Sequence, residues 1–179
     1  MAEPEVTLSS ERVFKGTRFT LRVDRVRLAD GTETVREIAD GPDSVAIVAI
    51  DDDQNLLLVR QYRKPIEREL LELPAGLIEA GDQPLESAQR ELREETGFAA
   101  AELTELGHFY VSPGGVTECL YAFLGTGLTH DPLAPDADER IELVRMGFRE
   151  ALVMARSGGF HDAKTIASLF LAEHRVLGS

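Results

Sequence analysis

The sequence predicts an α+β fold: a mixed β-sheet with helices, preceded by a small antiparallel sheet. Three observations carry this. Residues 12–40 alternate apolar and charged side chains around a turn signal, residues 44–50 form an unbroken apolar run, and residues 85–96 carry one clear helical pattern between strand-like runs. Strands, then a helix, then strands, then a final helix is the order of an α+β protein with a mixed sheet.

The elements follow in order. In 12–28, RVFKGTRFTLRVDRVRL, the residues Phe19, Leu21 and Val23, then Val26 and Leu28, fall with the period of two that marks a strand. Asp30-Gly31 is a hairpin turn signal, and 32–38 is the return run. Such a sheet is too small and too polar to stand alone, so residues 1–42 are expected to pack on the remainder, 43–179, or on another subunit. Asp40-Gly41-Pro42 punctuates the chain. The run SVAIVAI at 44–50 has the composition of a strand buried on both faces. Asp51-Asp52-Asp53 reads as a solvated turn, 55–61 as a second strand, and 67–73 as a third ending at Pro74.

The helix 85–96, LESAQRELREET, is expected to be capped by Asp82, with Pro84 in its first turn. Leu85, Ala88 and Leu92 form its apolar stripe, and Glu86 with Arg90 and Arg90 with Glu94 are i,i+4 pairs. Gly97 sits where a left-handed terminal residue is wanted. Strand-like runs follow at 102–111 and 118–125, a loop at 127–138, another strand at 141–148 and a last helix over 163–176.

Composition narrows the function. The chain has 179 residues, with 19 Lys and Arg against 32 Asp and Glu, a formal net charge of −13. That surplus argues against nucleic acid or an anionic membrane as a partner. The opening residues lack the basic start and apolar core of a secretory leader, and no apolar run approaches a membrane span, so a cytoplasmic protein is expected. The single Cys119 excludes an intramolecular disulfide and a cysteine zinc cluster, and reads as a small buried hydrophobe. The four histidines, at 108, 130, 161 and 174, have no ligand spacing.

One helix carries the chemistry. Glu91, Glu94 and Glu95 stand at i, i+3 and i+4 and share a face. Like charges so placed repel, and they crowd the C-terminal half, where the helix dipole disfavours anions. A solvated acidic face is one reading. A hard divalent cation such as Mg²⁺ or Mn²⁺, which takes oxygen ligands, is the other.

The surroundings favour the second. Gly76, five residues, Asp82, seven residues, then Arg90-Glu91-Leu92-Arg93-Glu94-Glu95-Thr96-Gly97-Phe98 resembles the Nudix box, G-x5-E-x7-R-E-U-x-E-E-x-G-U, where U is bulky and aliphatic. Asp82 replaces the first Glu and Phe98 fills the last apolar position. Glu72-Leu73-Pro74-Ala75-Gly76, Gln61-Tyr62-Arg63 and a proline, Pro113, sixteen residues after Gly97 resemble features of the ADP-ribose pyrophosphatase branch. The similarity spans roughly residues 12–172.

The resemblance implies a Nudix fold, a mixed sheet sandwiched between helices, with residues 1–42 as a sheet that dimerises by domain swapping. It implies metal-dependent hydrolysis of ADP-ribose to AMP and ribose 5-phosphate, with two or three Mg²⁺ or Mn²⁺ ions. Glu91, Glu95 and the carbonyl of Ala75 would be metal ligands, and Glu94 a third carboxylate shared with a further ion. A loop acid would act as general base, with Glu139 matching best and Asp138 and Glu142 as alternatives. Arg63, Arg36 from a partner subunit, Glu37, Gly76 and Pro113 would contact substrate. Phe19 or Tyr110 are candidates to stack on adenine, although most aromatics read as core. The alternatives are another nucleoside diphosphate derivative, such as a nucleotide sugar or a dinucleotide, or a non-catalytic nucleotide sensor. The intact acids argue against the sensor.

Overall fold

The computed structural model describes residues 4–134 and 140–178, which divide into two compact units. The first comprises residues up to 43 together with 110–119, the second 44–109 and 120 onward.

In the first unit, β1 (Val6–Lys15), β2 (Thr20–Arg27) and β3 (Glu33–Asp40) form an antiparallel sheet in that order. The sequence resolves two of its strands; β1, VTLSSERVFK, is exposed along its whole length and so leaves no buried face to read. The turn at Asp30-Gly31 is as expected: Gly31 adopts φ +85° and the Asp30 side chain accepts from the Thr32 N–H at 2.9 Å. Cys119 is buried, and that burial, with Asp43 nearby, pushes its thiol pKa up.

The second unit holds two sheets. One is β10 (Ile141–Gly147), β5 (Asn55–Arg63) and β6 (Arg68–Glu72), all antiparallel. The other runs β7 (Ala75–Leu77), β4 (Ser44–Ala49), β9 (Cys119–His130), β8 (Phe98–Tyr110), and is mixed, because β4 is antiparallel to β7 and parallel to β9. Its helices are α1 (Pro84–Thr96), α2 (Phe148–Arg156) and α3 (Ala163–Leu177). Every residue of β4 is buried, as its apolar run requires. Val45, Ile47 and Ala49 pack with Ala88 and Leu92 of α1. Val48, on the opposite face, packs with Phe148 and Leu152 of α2 and Leu169 of α3. The strand is thus sealed by helices on both sides. Among the described residues, no helix is long and apolar enough to cross a membrane.

Several expectations are corrected. Gln83, not Asp82, is the N-cap of α1, in a reciprocal capping box with Glu86, whose carboxylate accepts the Gln83 N–H at 3.1 Å. Glu86 therefore serves the cap rather than a pair with Arg90. Leu85 is exposed, and the buried face of α1 is Ser87, Ala88, Leu92, Glu95 and Thr96. β9 continues through Gly127, which adopts φ +65°, to His130, where a loop is read from 127. The helix α2 is absent from the sequence reading altogether.

Candidate active site

The site is built where the chain changes sheets. β6 ends at Glu72, Pro74 offers no N–H to a ladder, and β7 begins at Ala75 beside β4. In the crossing, the Ala75 N–H donates to Glu95 Oε2 at 2.8 Å. Glu95 is buried, so this bond ties the late turn of α1 directly to the start of β7.

Gly76 brings in the second carboxylate. A methyl built on its Cα would lie 2.0–2.2 Å from the carboxyl atoms of Glu91. Glu91 therefore lies close against Gly76, and two α1 carboxylates meet adjacent residues, Glu95 at Ala75 and Glu91 at Gly76. Glycine is required here for close approach; its φ is not in the left-handed region.

Arg90 explains how the acids coexist. Its Nη1 lies 2.8 Å from Glu91, 3.1 Å from Glu94 and 3.8 Å from Glu79, and its Nη2 donates to the Leu77 carbonyl at 3.0 Å. Burial lowers the pKa of the guanidinium, but Glu91, Glu94 and Glu79 outweigh that and raise it above its usual value. The sequence shows the Arg90–Glu94 pairing but not the contacts to Leu77, at the end of β7, and to Glu79, in the loop before the helix.

A cavity of about 480 Å³ opens beside these groups, with Glu94 and Glu95 on one wall and Arg60, Tyr62 and Glu142 among its other lining residues. Glu142 of β10 lies opposite Arg60 of β5 in the ladder and pairs with it at 3.3 Å. Arg60 and Tyr62 are lining residues the sequence reading did not assign. Their alternation along β5 was the available signal. Glu139 and Asp138, the other loop acids, lie outside the described residues.

Arg63 is expected to offer an open fork to phosphate. In the structure that fork is engaged: Nε and Nη2 donate to Glu72 at 2.9 and 2.7 Å. Burial pushes the Glu72 carboxyl up, but Arg63 and Lys164 together hold it below its usual value. Arg36 is similarly engaged, with Nε and Nη2 donating to Glu5 at 3.1 and 2.6 Å. Arg36, Glu37 and Pro113 belong to the first unit, whereas Arg63, Ala75, Gly76, Glu91, Glu94 and Glu95 belong to the second. Phe19 and Tyr110 are exposed rather than core.

The donors suit a hard cation in part. Among the described residues, no three His, Cys, Asp or Glu side chains converge as a ready ligand group. The cluster is instead two carboxylates, Glu91 and Glu95, against the adjacent residues Gly76 and Ala75, with Glu94 paired to Arg90. Carboxylates with a backbone carbonyl are the oxygen donors that Mg²⁺ and Mn²⁺ accept.

The NUDIX domain family matches residues 41–169. The chain belongs to the Nudix family. A second match, to the nucleoside diphosphate sugar hydrolase N-terminal domain, covers residues 5–38. An ADP-ribose pyrophosphatase of Bacillus subtilis is 39% identical over 90% of this chain and 88% of its own length. An ADP-ribose pyrophosphatase of Mycobacterium tuberculosis is 44% identical over 98% of this chain and 86% of its own. A crystal structure of an ADP compounds hydrolase superposes with a TM-score of 0.89 at 28% identity, covering 99% of this chain and 97% of that one. The fold described above is therefore the Nudix fold, and Nudix hydrolases generally work with divalent metal ions such as Mg²⁺.

Proposed function

We propose that this Nudix protein hydrolyses the pyrophosphate of ADP-ribose. Water adds to one phosphorus, the bridging P–O bond breaks, and AMP and ribose 5-phosphate leave. The observation that carries this reading is the placing of Glu95 at Ala75 and Glu91 at Gly76, in a chain similar over nearly its whole length to ADP-ribose pyrophosphatases.

Glu91, Glu95 and the Ala75 carbonyl would hold a divalent ion, with Glu94 contributing to a second or third. Such ions supply positive charge at phosphoryl oxygens and lower the pKa of an attacking water. Arg90 holds Glu91 and Glu94 in place and keeps their combined charge in check. Glu139 is the proposed base, with Asp138 and Glu142 as alternatives. Of these, Glu142 lines the cavity beside Glu94 and Glu95. Arg63 and Arg36 are proposed to grip phosphate after exchanging Glu72 and Glu5 for substrate oxygens, since the planar fork suits either anion. Gly76, Glu37 and Pro113 complete the proposed substrate contacts.

Residues 1–42 are proposed to form the interface of a homodimer, with Arg36 serving the partner's site, in a cytoplasmic enzyme. The exposed apolar side chains Val6, Val13, Phe14, Leu21 and Val35 on that sheet support this reading.

The test is a panel of nucleoside diphosphate compounds with Mg²⁺ or Mn²⁺, scored by release of the nucleoside monophosphate, AMP in the case of ADP-ribose. ADP-ribose should be the best substrate. A second reading, a nucleotide sugar hydrolase, is favoured by the match of residues 5–38 and wins if a nucleotide sugar turns over faster. No hydrolysis of any member defeats both and leaves a nucleotide sensor.

A further inference from the structure

The crossing between β6 and β7 is held from a distance in sequence. Backbone that leaves one sheet for another loses its ladder partners, and each buried N–H and C=O must find a substitute. Over residues 73–75 the substitutes form a continuous series, and the side chain of Glu72 before them is anchored as well. The Glu72 carboxylate takes Arg63 and Lys164. The Leu73 N–H donates to Thr165 Oγ1 at 2.9 Å, the Pro74 carbonyl accepts from the Ile47 N–H at 2.9 Å, and the Ala75 N–H donates to Glu95.

Two of these five partners, Lys164 and Thr165, sit on the first turn of α3. Thr165 is fully buried; its hydroxyl accepts from Leu73 and donates to Asp162 Oδ2 at 2.6 Å. Asp162 is the N-cap of α3, accepting the Thr165 N–H at 3.0 Å, and it also holds the Lys164 ammonium at 3.0 Å. Lys164 in turn reaches Glu72, which is 1% exposed. Glu72 and Leu73, adjacent in the chain, are thus both fastened to one helical turn some ninety residues away.

A crossing that needed only stability would do better with apolar packing, because burying Glu72 with two cations carries a desolvation cost. Hydrogen bonds and bidentate ion pairs give directional restraint that packing does not. That restraint ends on Ala75, three residues beyond Glu72.

We propose that Thr165 and Lys164 are positioning residues: through Leu73 and Glu72 they fix the backbone of Ala75 and Gly76 against Glu95 and Glu91, and so set the metal affinity of the site. This rests on the reading of Ala75, Glu91 and Glu95 as the metal group.

The test is a direct Mn²⁺ titration of the metal-free chain, followed by the electron paramagnetic resonance signal of free Mn²⁺, with circular dichroism to score folding. Thr165→Val keeps the volume and removes the acceptor of the Leu73 N–H. It should weaken Mn²⁺ binding about 10-fold, the lower end for a lost outer-sphere partner, and lower kcat with little change in KM. Thr165→Ser should restore both. A folded Thr165→Val chain that binds Mn²⁺ as the parent does overturns the proposal. If Thr165→Val does not fold, Lys164→Met is judged by the same criterion, and if neither folds the proposal is also overturned, since the cluster then holds the whole fold. A parent that binds no Mn²⁺ instead strikes down the reading of the metal group itself.

Discussion

At Gly76, a hydrogen in place of a methyl decides where Glu91 lies. The clash in a Gly76→Ala chain falls on the far end of a flexible side chain, not on backbone, so the fold should survive while Glu91 is pushed away. We expect unchanged circular dichroism and a loss of Mn²⁺ affinity and turnover of about 10–100-fold, the range seen when a metal site's geometry is disturbed. Parental affinity in that variant would remove Glu91 from the metal group. The acids themselves were legible because i, i+3 and i+4 spacing is a local property of one helix. Their partners were not. Arg90 reaches Leu77 of β7 and Glu79 in the following loop, and the Arg63 fork turns to Glu72 across a strand pair. Spacing reports which face a side chain occupies, and says nothing of which neighbour from another element reaches it first.

At the scale of elements, the Glu72 cluster between β5, β6 and α3 makes a pH prediction. The folded pKa of Glu72 lies below its usual 4.5. A depressed carboxylate contributes stability that is fully present above the unfolded pKa and is lost as pH falls through the folded one. The stability difference between the parent and Glu72→Gln should therefore be constant near neutrality and shrink as pH drops below about 4.5, measured by urea unfolding at a series of pH values. A difference independent of pH would mean Glu72 is not held ionised. Element legibility followed burial. β4, buried on both faces, and α1, with Pro84 near its start and Gly97 at its end, were plain. α2 was not, although Phe148, Ala151, Leu152 and Ala155 have helical spacing, because it begins directly after β10 at Gly147 with no side-chain cap to announce it. β1 was missed in part because nothing on it is buried.

For the whole molecule, the division into two units places Arg36, Glu37 and Pro113 on one and the carboxylates on the other. If Arg36 serves a partner's site, the chain should have the mass of a dimer by light scattering at working concentrations, and Arg36→Ala should raise KM. A fully active monomer would defeat that role. The fold class and the family were readable because the box is continuous in sequence, whereas the arrangement of the two units is a property of surfaces that no motif records. The −13 surplus remains a bar to polyanionic partners, but it is not a uniform field. Around α1, Arg90 offsets Glu79, Glu91 and Glu94 from within. A protein that carries its own counter-ion can rest through metal starvation without its acids driving the helix apart. Chelation should silence such an enzyme yet leave its melting temperature nearly unchanged, and Arg90→Gln should abolish that tolerance. In calorimetry with and without EDTA, the variant should lose more of its melting temperature on stripping than the parent does.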